Sequence, residues 1–351
     1  MKKLLYIFLL TTFIFFSCGE DKDLEPIPFQ TTPLEVNVPS NFPSMTYAIN
    51  ENPPTAEGFE LGRRLFYEGR LSSDNVISCG FCHIQLFAFT HNDHFVSHGA
   101  DGAIGTRNAP PVQNMAFMND FNWDGAAATL DLQPIIPITG EAEMNTTFTD
   151  IIAKLKAHPE YPTLFANAFE DGEINSENIL RALSQFQVMM ISAESKYDKV
   201  VRGEGNVSFT SIEIQGQTIF NNKCASCHSG ELFTDESYRN NGLPVDPQYN
   251  DIGRERVTGI IEDRHKFKVP SLRNIEFTAP YMHDGRFASL EDVLEHYNSG
   301  VVNEGTLDPS LIQNNGSLGI PLTTDEKTAL IAFLKTLSDP NFIFDTRFSE
   351  F

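Results

Sequence analysis

Cysteine is scarce. The 351-residue chain has five: Cys18, Cys79, Cys82, Cys224 and Cys227. Four of them fall in two tight pairs, which leaves nothing for a disulfide framework. Basic residues are also few, 25 Lys and Arg against 47 Asp and Glu. The formal charge of −22 argues against nucleic acid or anionic lipid headgroups as partners and leaves a basic protein partner open. Tryptophan occurs once, at Trp123. Beyond residue 16 no apolar run is long enough to cross a bilayer. Period-two alternation is rare, which excludes an extensive sheet, and no acidic loop of EF-hand type occurs.

The N-terminus carries the one long apolar run. Lys2 and Lys3 precede an apolar stretch from Leu4 to Phe16 that is short for a membrane span, the pattern of an export signal over 1–17. Cys18 stands where cleavage is expected, as in a bacterial lipoprotein box, so it is the expected lipidated first residue. Loss of Lys2 and Lys3 leaves 23 basic residues against 47 acidic ones, −24 in the mature chain. Residues 18–45 read as a lipoprotein tether, acidic at first and carrying Pro26, Pro28, Pro33, Pro39 and Pro43. The expected location is the periplasm or cell surface, with membrane contact through the lipid alone.

What the cysteines do is written around them. Cys79-Gly80-Phe81-Cys82-His83 and Cys224-Ala225-Ser226-Cys227-His228 are both Cys-x-x-Cys-His pentads. Each is the attachment signature of a c-type haem: two thioethers to the haem, and a histidine as proximal iron ligand. A four-cysteine zinc site or a thioredoxin-like pair would not require a histidine after both pairs. A faint repeat supports two similar halves: Gly62-Arg63-Arg64-Leu65-Phe66 precedes the first pentad and Gly216-Gln217-Thr218-Ile219-Phe220 the second. Thr210-x-x-Glu213 and Thr323-x-x-Glu326 are capping boxes that open helices. Ile179, Leu183, Phe186 and Met190 form one stripe of a helix predicted over 176–194. The expectation is a mainly α fold of two cytochrome c-like domains, 46–200 and 201–345, each with one covalently attached haem c.

From about residue 50 to 345 the chain resembles the bacterial dihaem cytochrome c peroxidase family, which includes the MauG enzymes. The resemblance rests on Arg107-Asn108-Ala109-Pro110-Pro111, Asn122-Trp123-Asp124-Gly125, Leu132-Gln133, Glu143-Met144, the segment from Lys268 to Asn274, and Thr278-Ala279-Pro280-Tyr281-Met282-His283-Asp284-Gly285. Trp123, Gln133, Pro137 and Glu143 keep the family's intervals. The resemblance implies that the N-terminal haem reacts with hydrogen peroxide and the C-terminal haem relays electrons. Glu143 is implied as the proton shuttle, Gln133 as the amide that orients peroxide, and Trp123 as the relay between haems. Asn108, Thr278 and Pro280 match residues that hold calcium between the domains.

The C-terminal haem's second ligand departs from the peroxidase branch, where a Met follows the Pro-Tyr-x-His histidine by fourteen residues. Here that position is Tyr297, as in the MauG branch; Met282 is the alternative, and His296 is a third. His91, His94 and His98 are possible sixth ligands to the first haem. His98 is the best placed of them, although its interval from His83 is one residue short of the usual pattern. The leading expectation is reduction of peroxide to water with electrons from a cytochrome c or cupredoxin. The alternatives are a MauG-like oxidase of a protein or small-molecule substrate, and a non-enzymatic electron-transfer lipoprotein. Glu143 and Gln133 weigh against the last, since a pure carrier needs no acid–base pair. A homodimer is left open.

Overall fold

The computed structural model describes residues 29–351. The expected export signal, Cys18 and the start of the expected tether lie outside the described residues. The fold is mainly helical; among the described residues the only ladder is a two-residue antiparallel pair, Tyr238–Arg239 with Phe267–Lys268.

Each half is built on one helix crossing. In the first, the Ala56–Phe66 helix lies against the Ser176–Val188 helix. A Cβ on Gly62 would sit 1.9 Å from the Ala182 carbonyl, so only glycine lets the two backbones approach this closely. In the second, Ser211–Lys223 crosses Thr324–Lys335, and a Cβ on Gly216 would sit 1.9 Å from the Ala329 carbonyl. The phenylalanine one turn after each glycine then meets a partner ring: Phe66 with Phe186 and Phe220 with Phe333, both at 5.2 Å. Both expected capping boxes, at Thr210 and Thr323, are formed. Ile179, Leu183, Phe186 and Met190 are all fully buried.

Three expectations need correction. The third helix was predicted to residue 194 but ends at Val188, because Ser192 leaves helical geometry to bond Asn114 and Asp339. The described part of the expected tether, 29–45, is docked rather than free. Asn41 donates to Asp198 (2.9 Å), and the Phe42 ring packs edge-on against Phe117. The chain end also crosses over: Phe342, Ile343 and Phe348 join the first half's core rather than the second's. The span 201–345 is therefore not one packing unit.

A buried polar seam joins the halves. Arg273, 1 % exposed, makes a two-pronged ion pair with the fully buried Asp198, both contacts at 2.9 Å, and its Nε donates to the Glu231 carbonyl. The Phe42 ring lies 4.4 Å from the guanidinium. Burial alone would raise the Asp198 carboxyl, but hydrogen bonds from Arg273, Ser195 and Asn41 reverse this and hold it below the usual range. A depressed folded pKa contributes stability that is complete above the unfolded carboxylate's pKa. That contribution is lost as pH falls through the lower folded value. Asp198→Asn leaves a buried guanidinium without its counter-charge and is expected to cost about 3–5 kcal/mol. Urea unfolding at neutral pH should show a lower midpoint with the same slope, and the gap between variant and wild type should shrink in acid. Equal midpoints at neutral pH would mean that the pair contributes nothing.

Candidate functional site

The first pentad is a single helical turn, Cys79–Cys82, capped by Ser78, whose side chain accepts from the Phe81 N–H. The turn sets both sulfurs near one face and carries the chain into His83. Ala88 and Phe89 adopt positive φ (51° and 61°), which brings the Phe89 carbonyl back to His83 Nδ1 at 2.8 Å. Nδ1–H donates there, so the bare nitrogen is Nε2, the form needed by an iron ligand. Burial lowers the His83 pKa, keeping the ring neutral, while the Phe89 and Pro110 carbonyls oppose it.

The second pentad repeats this design. Phe233 at φ 55° presents its carbonyl to His228 Nδ1 at 3.1 Å, and burial again lowers the pKa against the Phe233 and Pro270 carbonyls. Burial pushes the Cys79 and Cys224 thiols up to about 12 and Cys82 up to about 11. A redox or zinc-binding pair needs the reverse, a stabilised thiolate. Two free thiols beside a histidine with a bare Nε2, at each site, fit a covalently attached haem.

A cavity of about 720 Å³ opens from the first pentad, within the roughly 300–1,000 Å³ of cofactor pockets. Cys79, Cys82 and His83 line it, and so do Gln133, Pro137, Glu143 and Trp123. Burial raises the Glu143 carboxyl, with Arg107 pulling it partly back. Gln133 Nε2 donates to the Asn122 side chain at 3.1 Å. The Trp123 indole N–H donates to the Asn108 carbonyl (2.9 Å), and the Trp123 carbonyl accepts from the Lys268 N–H (2.7 Å). The one tryptophan is thus pinned from both halves. His98 lines the cavity too, with its ring 4.0 Å from that of His94, which bonds to the buried His91.

Tyr297 lies in a π-helical turn, His296–Gly300, a local irregularity common at functional sites. Burial pushes its phenol up to about 12, the Asn241 side chain pulls the other way, and the Cys224 and Cys227 thiols lie close enough to act on it. Met282, at φ 73°, accepts from Asn241 Nδ2 through its sulfur at 3.4 Å. His296 donates to the Asn241 carbonyl at 3.1 Å. Both favoured ligand candidates therefore meet at Asn241, a residue that sequence reasoning missed. A lone Asn in a loop carries no periodicity or motif to mark it.

Asn108 and the 278–280 turn face one loop between the halves: Asn108 Nδ2 donates to the Phe95 carbonyl (3.2 Å) and Asn92 to the Ala279 carbonyl (3.3 Å). Asn108 and Thr278 are buried. Among the described residues no group of three His, Cys, Asp or Glu is arranged to hold a metal ion, so any cation here would depend on neutral oxygens. Sequence reasoning also missed the ion cluster of Arg107 with Asp124 (2.6 Å) and Asp251 (2.5 Å). Nor did it find the Phe267 ring stacked on His283 at 3.7 Å.

Comparison with known proteins agrees with this geometry. The family model described as di-haem cytochrome c peroxidase matches residues 56–206. The methylamine utilization protein MauG of Methylorubrum extorquens is 36% identical over 297 residues, covering 82% of this chain and 79% of that protein. The cytochrome c551 peroxidase of Nitrosomonas europaea is 34% identical over 289 residues, 82% of this chain and 81% of that one. Among solved structures, a MauG-like protein associated with microbial copper homeostasis superposes with a TM-score of 0.80 at 33% identity, over 90% of this chain and 99% of that one. The chain belongs to the dihaem cytochrome c peroxidase and MauG family, and is a peroxidase-type oxidoreductase with two haem c.

Proposed function

We propose that the chain reduces hydrogen peroxide to water at the His83 site, with electrons entering from a small redox protein, a cytochrome c or cupredoxin, through the His228 site. The observation that carries this reading is that Glu143 and Gln133 line the same cavity as Cys79, Cys82 and His83. When bound, the haem supplies the iron that accepts and passes on electrons. Reducing one peroxide to two waters consumes two electrons and two protons. Glu143 takes the proton from the near peroxide oxygen and gives it to the far one, so that water leaves instead of hydroxide. Its raised pKa favours the first of these transfers, since burial makes the carboxylate a better proton acceptor. Gln133, steadied by Asn122, orients the peroxide. Trp123, held between Asn108 and Lys268, carries electrons from one half to the other.

A second reading has its own observation. Tyr297 is enclosed beside Cys224 and Cys227, which supports it as the second ligand of the C-terminal haem. Phenolate ligation favours oxidised iron over reduced iron, which suits MauG-like oxidation of a protein or small-molecule substrate more than storage of a donor's electron. Calcium is also inferred between the halves, held by the Asn108 side-chain oxygen and the Thr278 and Pro280 carbonyls, which are hard ligands. Covalent haem attachment points to work outside the cytoplasm. No described helix is long and apolar enough to cross a membrane.

Glu143→Gln should lower peroxide turnover by about 100- to 10,000-fold while both haem spectra stay unchanged. Turnover equal to wild type would take Glu143 out of the proton path. Trp123→Phe should keep both haems attached and slow inter-haem electron transfer in stopped-flow traces; an unaltered rate would remove Trp123 from the route. Chelation of calcium should alter the haem spectra and depress activity, with recovery on adding calcium back. A chelator without effect would count against the ion.

A further inference from the structure

The segment that follows the short Tyr238–Arg239 strand is tightly fixed. Asn240 is buried, its side-chain oxygen accepts from the Gly242 N–H (2.8 Å), and the Gly242 carbonyl accepts from the Val302 N–H (2.9 Å). Gly242 has φ 70°, and a Cβ there would meet Val301 at 2.5 Å, so this turn admits no side chain. Asn241 is held between these two anchored neighbours. Its own Oδ1 accepts from the Leu243 N–H (3.3 Å), which fixes the amide flip and leaves Nδ2 as the outward donor. That donor meets the Met282 sulfur at 3.4 Å. The Asn241 carbonyl accepts from His296, the residue before Tyr297, and the Asn241 side chain also donates toward the Tyr297 oxygen, so one amide engages both candidates.

We propose that Asn241 positions both ligand candidates of the C-terminal haem, engaging the Met282 thioether as a hydrogen-bond acceptor and orienting the Tyr297 oxygen as the one that would bind the iron. This rests on the reading of Tyr297 as the ligand opposite His228. The physical case has two parts. A thioether is a weak acceptor and a soft ligand, and an N–H directed at its sulfur competes for the same lone pairs that would bind iron. Met282 also has a left-handed backbone, rare for a side chain of this size, in a turn closed by the Tyr281–Phe287 bridge. The side chain cannot be re-aimed cheaply by shifting the backbone, so the amide sets where the sulfur rests. Asn241 is a positioning residue: it acts through Met282 and Tyr297 and needs no contact with the reacting atoms.

The test compares the diferric dihaem protein with Asn241→Leu and Asn241→Asp by EPR, near-infrared absorption and potentiometry of the C-terminal haem. The Asp variant keeps the acceptor for Leu243 and the side-chain volume while losing the donor, so it serves if the Leu variant fails to fold or to load haem. Wild type should show a phenolate-type low-spin signal without thioether charge transfer. Either variant should gain the thioether band and an upward-shifted midpoint potential. Adding Met282→Leu to the variant should abolish that band, which a merely structural disturbance would not do. Variants that keep the wild-type phenolate signal would overturn the proposal and leave Tyr297 ligation standing. A thioether band already present in wild type would overturn both.

Discussion

The two haem sites are held in register by hydrogen bonds between two matching segments of chain. In the first half, the Pro110 carbonyl lies against His83; in the second, the Pro270 carbonyl lies against His228. Gln113 and Arg273 each follow their proline by three residues. Gln113 Nε2 donates to the Arg273 carbonyl at 2.7 Å, and Asn274 donates to the Gln113 side-chain oxygen and, at 2.8 Å, to Ser192. Each segment therefore supports its own histidine at one end and grips the other segment at the next turn. The Arg273–Asp198 pair locks this grip from below. Such a buried ionic and amide network adds little over an apolar seam in stability, but it has one low-energy register. Electron transfer between two fixed sites depends on that register.

Beyond the proximal histidines the halves diverge, and the divergence is where function is read. Asn122 and Met282 hold the same place in the repeat: each has positive φ, and each lies in a turn closed by one bridge, Phe121–Ala127 or Tyr281–Phe287. In the first half that residue steadies Gln133 at the wall of an open cavity. In the second it lies against Asn241, and a π turn brings Tyr297 in beside the cysteines. One scaffold thus presents an open cavity beside the first pentad and an enclosed Tyr297 beside the second.

Much of this was legible in the sequence because it is local. A pentad, a capping box or an apolar stripe is complete within a few turns of chain, as at Thr210, Thr323 and the Ile179–Met190 stripe. What stayed hidden depends on partners far apart in sequence. The proline-rich stretch before residue 45 looked like a tether, since its fixing contacts, Asn41 to Asp198 and Phe42 to Arg273, join residues of no shared period. Ser192 looked helical until its partner Asp339 was known. Phe342 and Phe348 follow the second half in sequence but pack in the first core. Asn241 was invisible for the same reason: its importance lies in what Met282 and Tyr297 bring to it.

The seam also explains how so acidic a chain distributes its charge. Arg107, Lys268 and Arg273 are mostly or wholly withdrawn from solvent, with side chains 17%, 15% and 1% exposed. They neutralise Asp124, Asp251 and Asp198, or bond carbonyls, inside the contact between halves. Because three cations and three carboxylates are withdrawn together, the exterior keeps the chain's full negative balance. Attraction of a basic donor by that surface acts within about 8 Å at physiological salt, the screening length. The acidic surface would therefore bear on encounter with a protein donor, while the buried cations and the amides they fix hold the contact between the two halves.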